Sequence, residues 1–582
     1  MHWTQVYDPL GHWWASTLVA SLPIVVLLGL LAGFRVKPHY AAIAGALTAL
    51  IVSTTIFHMP LVLAGMSFVY GLSFGMLKIV WIVVAAVFLY ELTVYTGHFE
   101  IMKQSLAAIT PDRRLQLLLV AFSFGAFLEG CAGFSTPVAI AGAFMVGLGF
   151  SPMQAATLNL IANTAPVAWG AIGTPVHTLA AVSALPEPAL NAMIGRILPF
   201  TCVIVAFWLV RAMVGWKETF EVLPAILVVG LSFGATQFYW ANYGDSNLVD
   251  IIAGLTSMVV TVGFLHVWKP KTIYRFPGET AALTANASAS SGSSSSTGRS
   301  QASASSSGGR TPVHGYSSGQ VLKAWTPFII LSLLVFLWGY PPVKNKLNQY
   351  TTPKFSTVAS QNGWDFPILH RAISRDKPVV PKPSPENAKY DFNWLTATGS
   401  ACFLAAVLSG LFLRVSIGDM FKVFGQTLHK LRFAIVAIGC MLGLGYLTRY
   451  SGMDAVLGLA FTRTGWLFPF FGTFLGWLGV ALTGSDTSSN ALFGSLQRIT
   501  SEQLNLNPVL MCAANSAGGV MGKMVDAQSI CVATAATNQL GNEGPILRWV
   551  FWHSICLASI VGIIVMLYAY VFPHFIPVIP VK

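Results

Sequence analysis

Near-unbroken apolar runs, separated by short polar punctuation, dominate the chain. Residues 9–34 and 38–77 contain no Asp, Glu, Lys or Arg, and neither do residues 130–186. A helix needs about 20 mainly apolar residues to cross a bilayer, so each run holds one or more spans. The pattern predicts spans near 14–34, 40–57, 61–77, 79–96, 115–150, 153–183, 190–213, 223–241, 248–267, 324–341, 392–413, 433–449, 454–483, 486–535 and 547–572. Some of these hold two segments, which gives about 12–15 crossings. Outer-membrane barrel strands would alternate over segments of about 10 residues, and no such pattern is present. The expected fold is an all-α polytopic membrane protein.

Composition agrees. Hydrophobic residues make up 54% of the 582-residue chain and charged residues 9%, whereas a soluble protein has roughly a quarter of its residues charged. The net charge of +12 comes from Lys and Arg scattered between spans, so no nucleic-acid partner is expected and the lipid bilayer is. The seven cysteines lie in or beside apolar runs without a CxxC, and read as packing residues. No basic region precedes the first apolar run, so Ser16–Gly33 reads as a span and not as a cleaved signal. The expected location is the cell membrane, with multiple passes.

Two polar stretches divide the chain. Residues 267–323 include ANASASSGSSSSTGRSQASASSSGG, a composition that cannot bury a core and predicts a disordered loop. Residues 1–266 are then an N-terminal transmembrane half and 324–582 a C-terminal one, which includes an extramembrane loop at 342–391. Basic residues dominate 267–323 and 414–432, placing both on the cytoplasmic side by the positive-inside rule.

The most informative pattern is a repeat. Phe127-LEGCAGFSTPVAI followed by Asn163-TAPVAWGAIGTPV corresponds to Trp477-LGVALTGSDTSSNALFG followed by Asn515-SAGGVMGKMVDAQS. Gly170 and Gly522 stand at equal offsets from Asn163 and Asn515, and each block is preceded by an apolar stretch broken by Gly and hydroxyls, including Ser135-Thr136-Pro137 in the first. Unwound backbone survives in a bilayer only where protein or a wet cavity satisfies it. Matched breaks therefore predict two pseudo-symmetric, inverted repeats, each with a re-entrant hairpin and an interrupted helix, whose half-helix N-termini suit an anion. Glu129, Asp486, Lys523 and Asp526 lie in or beside these blocks. An ionisable group at mid-membrane costs about 2.5–3.5 kcal/mol on insertion scales, which calls for a function or a partner. Glu129 can exchange a proton or pair with Lys523. Asp486 can bind a proton or a cation, or cap the helix after it. Lys78 reads as an interfacial residue, and Glu91 has no assigned role. No zinc or haem constellation and no GxxxxGK[ST] is present, so neither an enzyme nor an ATP-driven pump is expected, and no cofactor.

FGAFLEGCAGFSTPVAIAGAFMVGLGF, NTAPVAWGAIGTPV, GWLGVALTGSDTSSNALF and GGVMGKMVDAQSI resemble signature stretches of the bacterial L-lactate permease family, and the likeness runs over nearly the whole chain. Ser135, Thr136, Glu91 and Asp526 depart from that family's usual pattern. The resemblance implies a cytoplasmic-membrane symporter of lactate, glycolate and related 2-hydroxymonocarboxylates with protons. A sodium-coupled carboxylate or dicarboxylate carrier is the alternative. The expected substrate site comprises Asn163, Thr164, Gly173, Thr174, Ser485, Thr487, Ser488, Ser489, Asn515, Ser516, Gly518, Gly519 and Lys523. Glu129 and Asp486 are the expected proton carriers, and no metal site is expected.

Overall fold

The computed structural model describes residues 2–276, 316–347 and 364–578, apart from 33, 35, 134, 340, 341, 344, 381, 391, 540 and 541. Helices dominate, and they follow the apolar runs. They are α1 Trp13–Ala32, α2 Pro38–Thr55, α3 Leu61–Tyr95, α4 His98–Ala107, α5 Arg113–Ala132, α6 Thr136–Gly147, α7 Pro152–Ala162, α8 Gly170–Ser183, α9 Glu187–Met213, α10 Trp216–Glu221 and α11 Leu223–Tyr243. There follow α12 Val249–Val267, α13 Ser318–Gly339, α14 Thr398–Phe412, α15 Ile417–Ser451, α16 Met453–Phe461, α17 Phe468–Thr483, α18 Asp486–Gln503, α19 Pro508–Gly522, α20 Ala527–Ala536 and α21 Glu543–Tyr570. Among the described residues, nine helices are long and apolar enough to cross a membrane, and four apolar helices are shorter.

Local chemistry sets several helix starts. Ser151 and Asn507 each precede a proline, and each side chain accepts from backbone N–H groups of the first turn of α7 or α19. Such caps satisfy donors that the helix leaves open, and Pro at the first helical position lacks an N–H to satisfy. Ser416 caps α15 in the same way.

Both ends of the stretch 267–323 are described. Helix α13 begins at Ser318, and Tyr274 donates its N–H to Asp112 Oδ2 at 2.9 Å, so residues up to 276 are held against the start of α5. The Ser-rich tract at 277–315 lies outside the described residues, as do 348–363 of the second stretch. Residues 364–390 of that stretch carry short strands. β1 Trp3–Thr4 runs parallel to β3 Ile373–Arg375, which also pairs with β4 Ser384–Pro385, while β2 Trp364–Asp365 pairs with β5 Lys389–Tyr390. This cap is tied to the helices through Tyr70, whose hydroxyl donates to Lys389 O at 2.7 Å. Arg449 Nη2 also reaches Glu386 Oε2 at 3.1 Å.

Candidate functional site

Four chain breaks meet at one place. The first follows α5, where Gly133 and Ser135 take φ of 58° and 60° before α6. The second separates α7 from the helical part of α8. There the chain turns through Val167–Trp169, and Ala171, Ile172 and Gly173 have φ of 45°, 57° and 71°. The third is Gly484 at φ 75° with extended Ser485, between α17 and α18. The fourth is Lys523–Asp526, between α19 and α20. Positive φ costs a side-chain-bearing residue about 1 kcal/mol or more, so Ala171 and Ile172 are held there by surrounding packing.

All four breaks line a cavity of about 30 Å³, whose lining includes Glu129, Gly170, Thr174, Ser485, Asp486 and Lys523. One water needs roughly 10–15 Å³ of such space, so the cavity has room for about two or three. Asp486 Oδ2 accepts from Ser516 Oγ at 2.5 Å and from Asn490 Nδ2 at 3.2 Å, while Oδ1 has no hydrogen-bond partner. Ser485, not Asp486, caps α18, accepting from Ser488 N at 3.4 Å. Glu129 is 3% exposed and its Oε2 has no partner. Asn163 approaches Glu129 without closing a hydrogen bond of normal geometry, and both of its amide atoms are unpartnered. Lys523 Nζ donates to Gly484 O at 2.6 Å and to Ser135 Oγ at 3.4 Å, and lies 3.6 Å from Asp526 Oδ2. Asp526 also caps α20 through Ser529 N at 2.7 Å. One buried cation thus faces three buried carboxyls.

The breaks also bond to one another. Ser135 Oγ lies 3.0 Å from Ser529 Oγ, and Thr174 Oγ1 lies 3.3 Å from Thr487 Oγ1. The remaining residues expected here divide by role. Thr174, Ser485, Thr487, Lys523, Glu129 and Asp486 line the cavity. Ser516 touches it through Asp486, and Asn163 adjoins Glu129. Asn515 is engaged by Asn490 at 2.9 Å and Gln497 at 3.2 Å, and Ser489 donates to Gly476 O at 3.0 Å. Thr164 donates back to Ile161 O at 2.7 Å. Ser488 offers its N–H to the cap, and Gly173 lies against Ser246. Gly518 and Gly519 sit inside the unbroken helix α19, so their N–H groups serve that helix and not the cavity. What they permit is close approach, because a methyl on Gly518 would lie 2.0 Å from Thr473 O.

Sequence reading passed over Asn490 and Asp250. Asn490 Nδ2 also donates to Pro175 O at 3.2 Å, joining the second and third breaks. Asp250 sits in the first turn of α12, where an acidic residue is an ordinary helix feature, so only the fold singles it out. Glu91, unassigned from sequence, pairs with Lys430.

The L-lactate permease family profile matches residues 16–572. The chain belongs to the L-lactate permease family. Glycolate permease GlcA of Escherichia coli (strain K12) is 45% identical, over 98% of this chain and 98% of its own length. The L-lactate permease of the same strain is 42% identical over 99% of this chain and 100% of its own. A solved structure of Neisseria gonorrhoeae MtrF, described as illuminating a class of antimetabolite efflux pumps, covers 95% of this chain and 99% of its own at 10% identity. Its TM-score of 0.45 is too loose a likeness to define the fold. This lactate permease family member is therefore a multi-pass membrane transporter and not an enzyme.

Proposed function

We propose that the protein carries L-lactate, glycolate and related 2-hydroxymonocarboxylates into the cell across the cytoplasmic membrane in symport with a proton. The observation that carries this reading is the charge of the cavity region, where Lys523 stands against Glu129, Asp486 and Asp526. With all three carboxyls ionised, an entering anion meets net negative charge in a poor solvent for charge. Protonation of Glu129 and Asp486 removes that penalty and supplies hydrogen-bond donors. Lys523 and the hydroxyls of Thr174, Ser485 and Thr487 then face the substrate's carboxylate and 2-hydroxyl. The relatives' names, glycolate permease and L-lactate permease, support the substrate class.

The site belongs to two inverted repeats, α5–α8 and α17–α20, in the two transmembrane halves on either side of the polar loop. Three facts support this. Helix α6 of the first unit packs on α20 of the second, and α18 packs on α8, an exchange that a twofold relation produces. The α5–α6 pair begins and ends beside residues 274–276, through Arg113 N to Tyr274 O and the Phe150–Phe276 ring contact. The far end of α18 instead meets the cap on the opposite face, where Gln503 donates to Pro378 O. A hairpin thus dips from each face. At about 30 Å³ the cavity is small, and loading requires the hairpins to separate.

Uptake of labelled lactate into proteoliposomes at two pH values tests the reading, with glycolate, pyruvate, acetate and succinate as competitors. Lactate and glycolate compete best, and an inward proton gradient drives accumulation. Glu129→Gln and Asp486→Asn flatten the pH dependence. Preference for succinate with a sodium requirement establishes the sodium-coupled alternative, and wild-type pH dependence in both variants removes their proton roles.

A further inference from the structure

Asp250 is 1% exposed, in the first turn of α12, and does not line the cavity. It nevertheless lies near Glu129, as two neighbouring contacts show. A methyl on Gly130, the next residue after Glu129, would lie 2.8 Å from Ile251 N and 3.1 Å from Asp250 Cβ, so α5 and α12 touch there. Asp250 also faces the backbone N–H of Trp169, while Glu129 Oε1 presses on Gly170, where a methyl would lie 2.6 Å from it. The two carboxyls bracket consecutive residues at the point where α8 unwinds.

Neither carboxyl is satisfied. Glu129 Oε2 and Asp250 Oδ2 both lack a hydrogen-bond partner. Asp250 Oδ1 accepts from Gln237 Nε2 at 3.2 Å, and Gln237 Oε1 accepts from Cys202 Sγ at 3.2 Å. Asp250 is thus faced by Glu129 from α5, Gln237 from α11, Cys202 from α9 and Trp169 from the turn before α8. Glu129 is faced by Asp250, Asn163, Lys523 and Asp526. Among the described residues no Lys or Arg forms an ion pair with Asp250. Two buried neighbouring carboxyls with one cation, Lys523, on the Glu129 side only do not both ionise, and a proton on one supplies the missing donor.

We propose that Asp250 shares a proton with Glu129 and is the second station of the coupling proton. The Asp250 O–H bond breaks as a Glu129 O–H bond forms, and the reverse transfer leaves Glu129 a carboxylate that takes a further proton from the cavity and later gives it back. The pair carries one negative charge with one proton and none with two, so it is never doubly charged in the apolar surroundings. The inference rests on the proton-coupled reading above. It adds a residue behind the site, out of reach of the substrate.

Infrared difference spectra of the purified full-length protein across a pH range need no substrate. The protonated-carboxyl band titrates in two coupled steps. Asp250→Asn removes one component and shifts the other by about one pK unit, a tenfold change in proton occupancy. Glu129→Gln does the converse. A band in Asp250→Asn with the wild-type amplitude and midpoint overturns the proposal. In proteoliposomes, gradient-driven uptake by Asp250→Asn falls about tenfold further than substrate counterflow, in line with that occupancy change, and Asp250→Glu restores it. Equal loss of uptake and counterflow in both variants makes Asp250 structural and also overturns it. If Asp250→Asn does not reach the membrane, Gly130→Ala, which wedges α5 from α12, shifts the titration of the pair, and an unshifted titration is again fatal. A wild type whose carboxyls titrate together while uptake ignores pH sinks the proton-coupled reading and leaves the shared proton standing.

Discussion

At the scale of single residues, the site is a problem of charge in a poor solvent. Lys523 is 3% exposed and Asp526 fully buried, and they lie 3.6 Å apart, with Gly484 O accepting from Lys523 and Ser529 N donating to Asp526. Removing one member of such a pair leaves the other charge uncompensated, at a cost of about 3–5 kcal/mol. Lys523→Ala is therefore expected to lower the unfolding temperature in detergent and to abolish uptake. Lys523→Ala together with Asp526→Asn recovers most of the stability but none of the transport. Recovery of uptake in the double variant removes Lys523 from substrate binding.

At the scale of elements, glycines set how closely the broken helices pack. A methyl on Gly518 would lie 2.0 Å from Thr473 O, and one on Gly476 would lie 1.8 Å from Asn515 O, so α17 and α19 touch backbone to backbone. Small residues at such contacts are the usual means of helix association in membranes. Gly518→Ala forces the pair apart and is expected to cost about 1–3 kcal/mol. Gly425 lies inside α15 with nothing within 4 Å of an added methyl. Gly425→Ala is accordingly expected to raise stability by about 0.5–1 kcal/mol, because alanine restricts the unfolded chain. Thermal unfolding of both variants in one detergent checks the pair, and a Gly518→Ala protein as stable as wild type removes the close-packing argument.

At the scale of the whole molecule, the cap at residues 364–390 is bonded to a helix of the site. Arg449 joins Glu386 of the cap to the carbonyls of Ala181 and Val182 at the end of α8, at 3.2 and 3.0 Å. Arg375 pairs with the same glutamate. Burial works to raise the Glu386 pKa, but Arg449 and Arg375 outweigh it and hold the carboxyl below its usual range. A lowered folded value means that this stability is complete above the ordinary glutamate value, near about 4.3, and is lost as pH falls through the lowered one. Amide exchange in the cap is expected to be slow at neutral pH and to accelerate in that acidic window, and Glu386→Gln shows fast exchange already at neutral pH. Equal exchange rates in wild type and variant at neutral pH place the cap's attachment elsewhere.

Much of this architecture was legible in the chain before folding. Helical spans follow from charge-free runs, because oil admits no unsatisfied backbone, and the breaks follow from Gly and hydroxyl clusters that no span needs for length. Glu129, Asp486 and Lys523 stood out for the same reason, as charges placed where charge is expensive. The partnerships among them were not legible. Whether Asn515 lines a cavity or binds Asn490, whether Gly518 offers an N–H or a smooth surface, and whether Asp250 meets solvent or Gln237 depend on which helices lie alongside. Local sequence sets the polarity and flexibility of each segment. The neighbours across a packed interface come from elements hundreds of residues away, and only the closed fold chooses them.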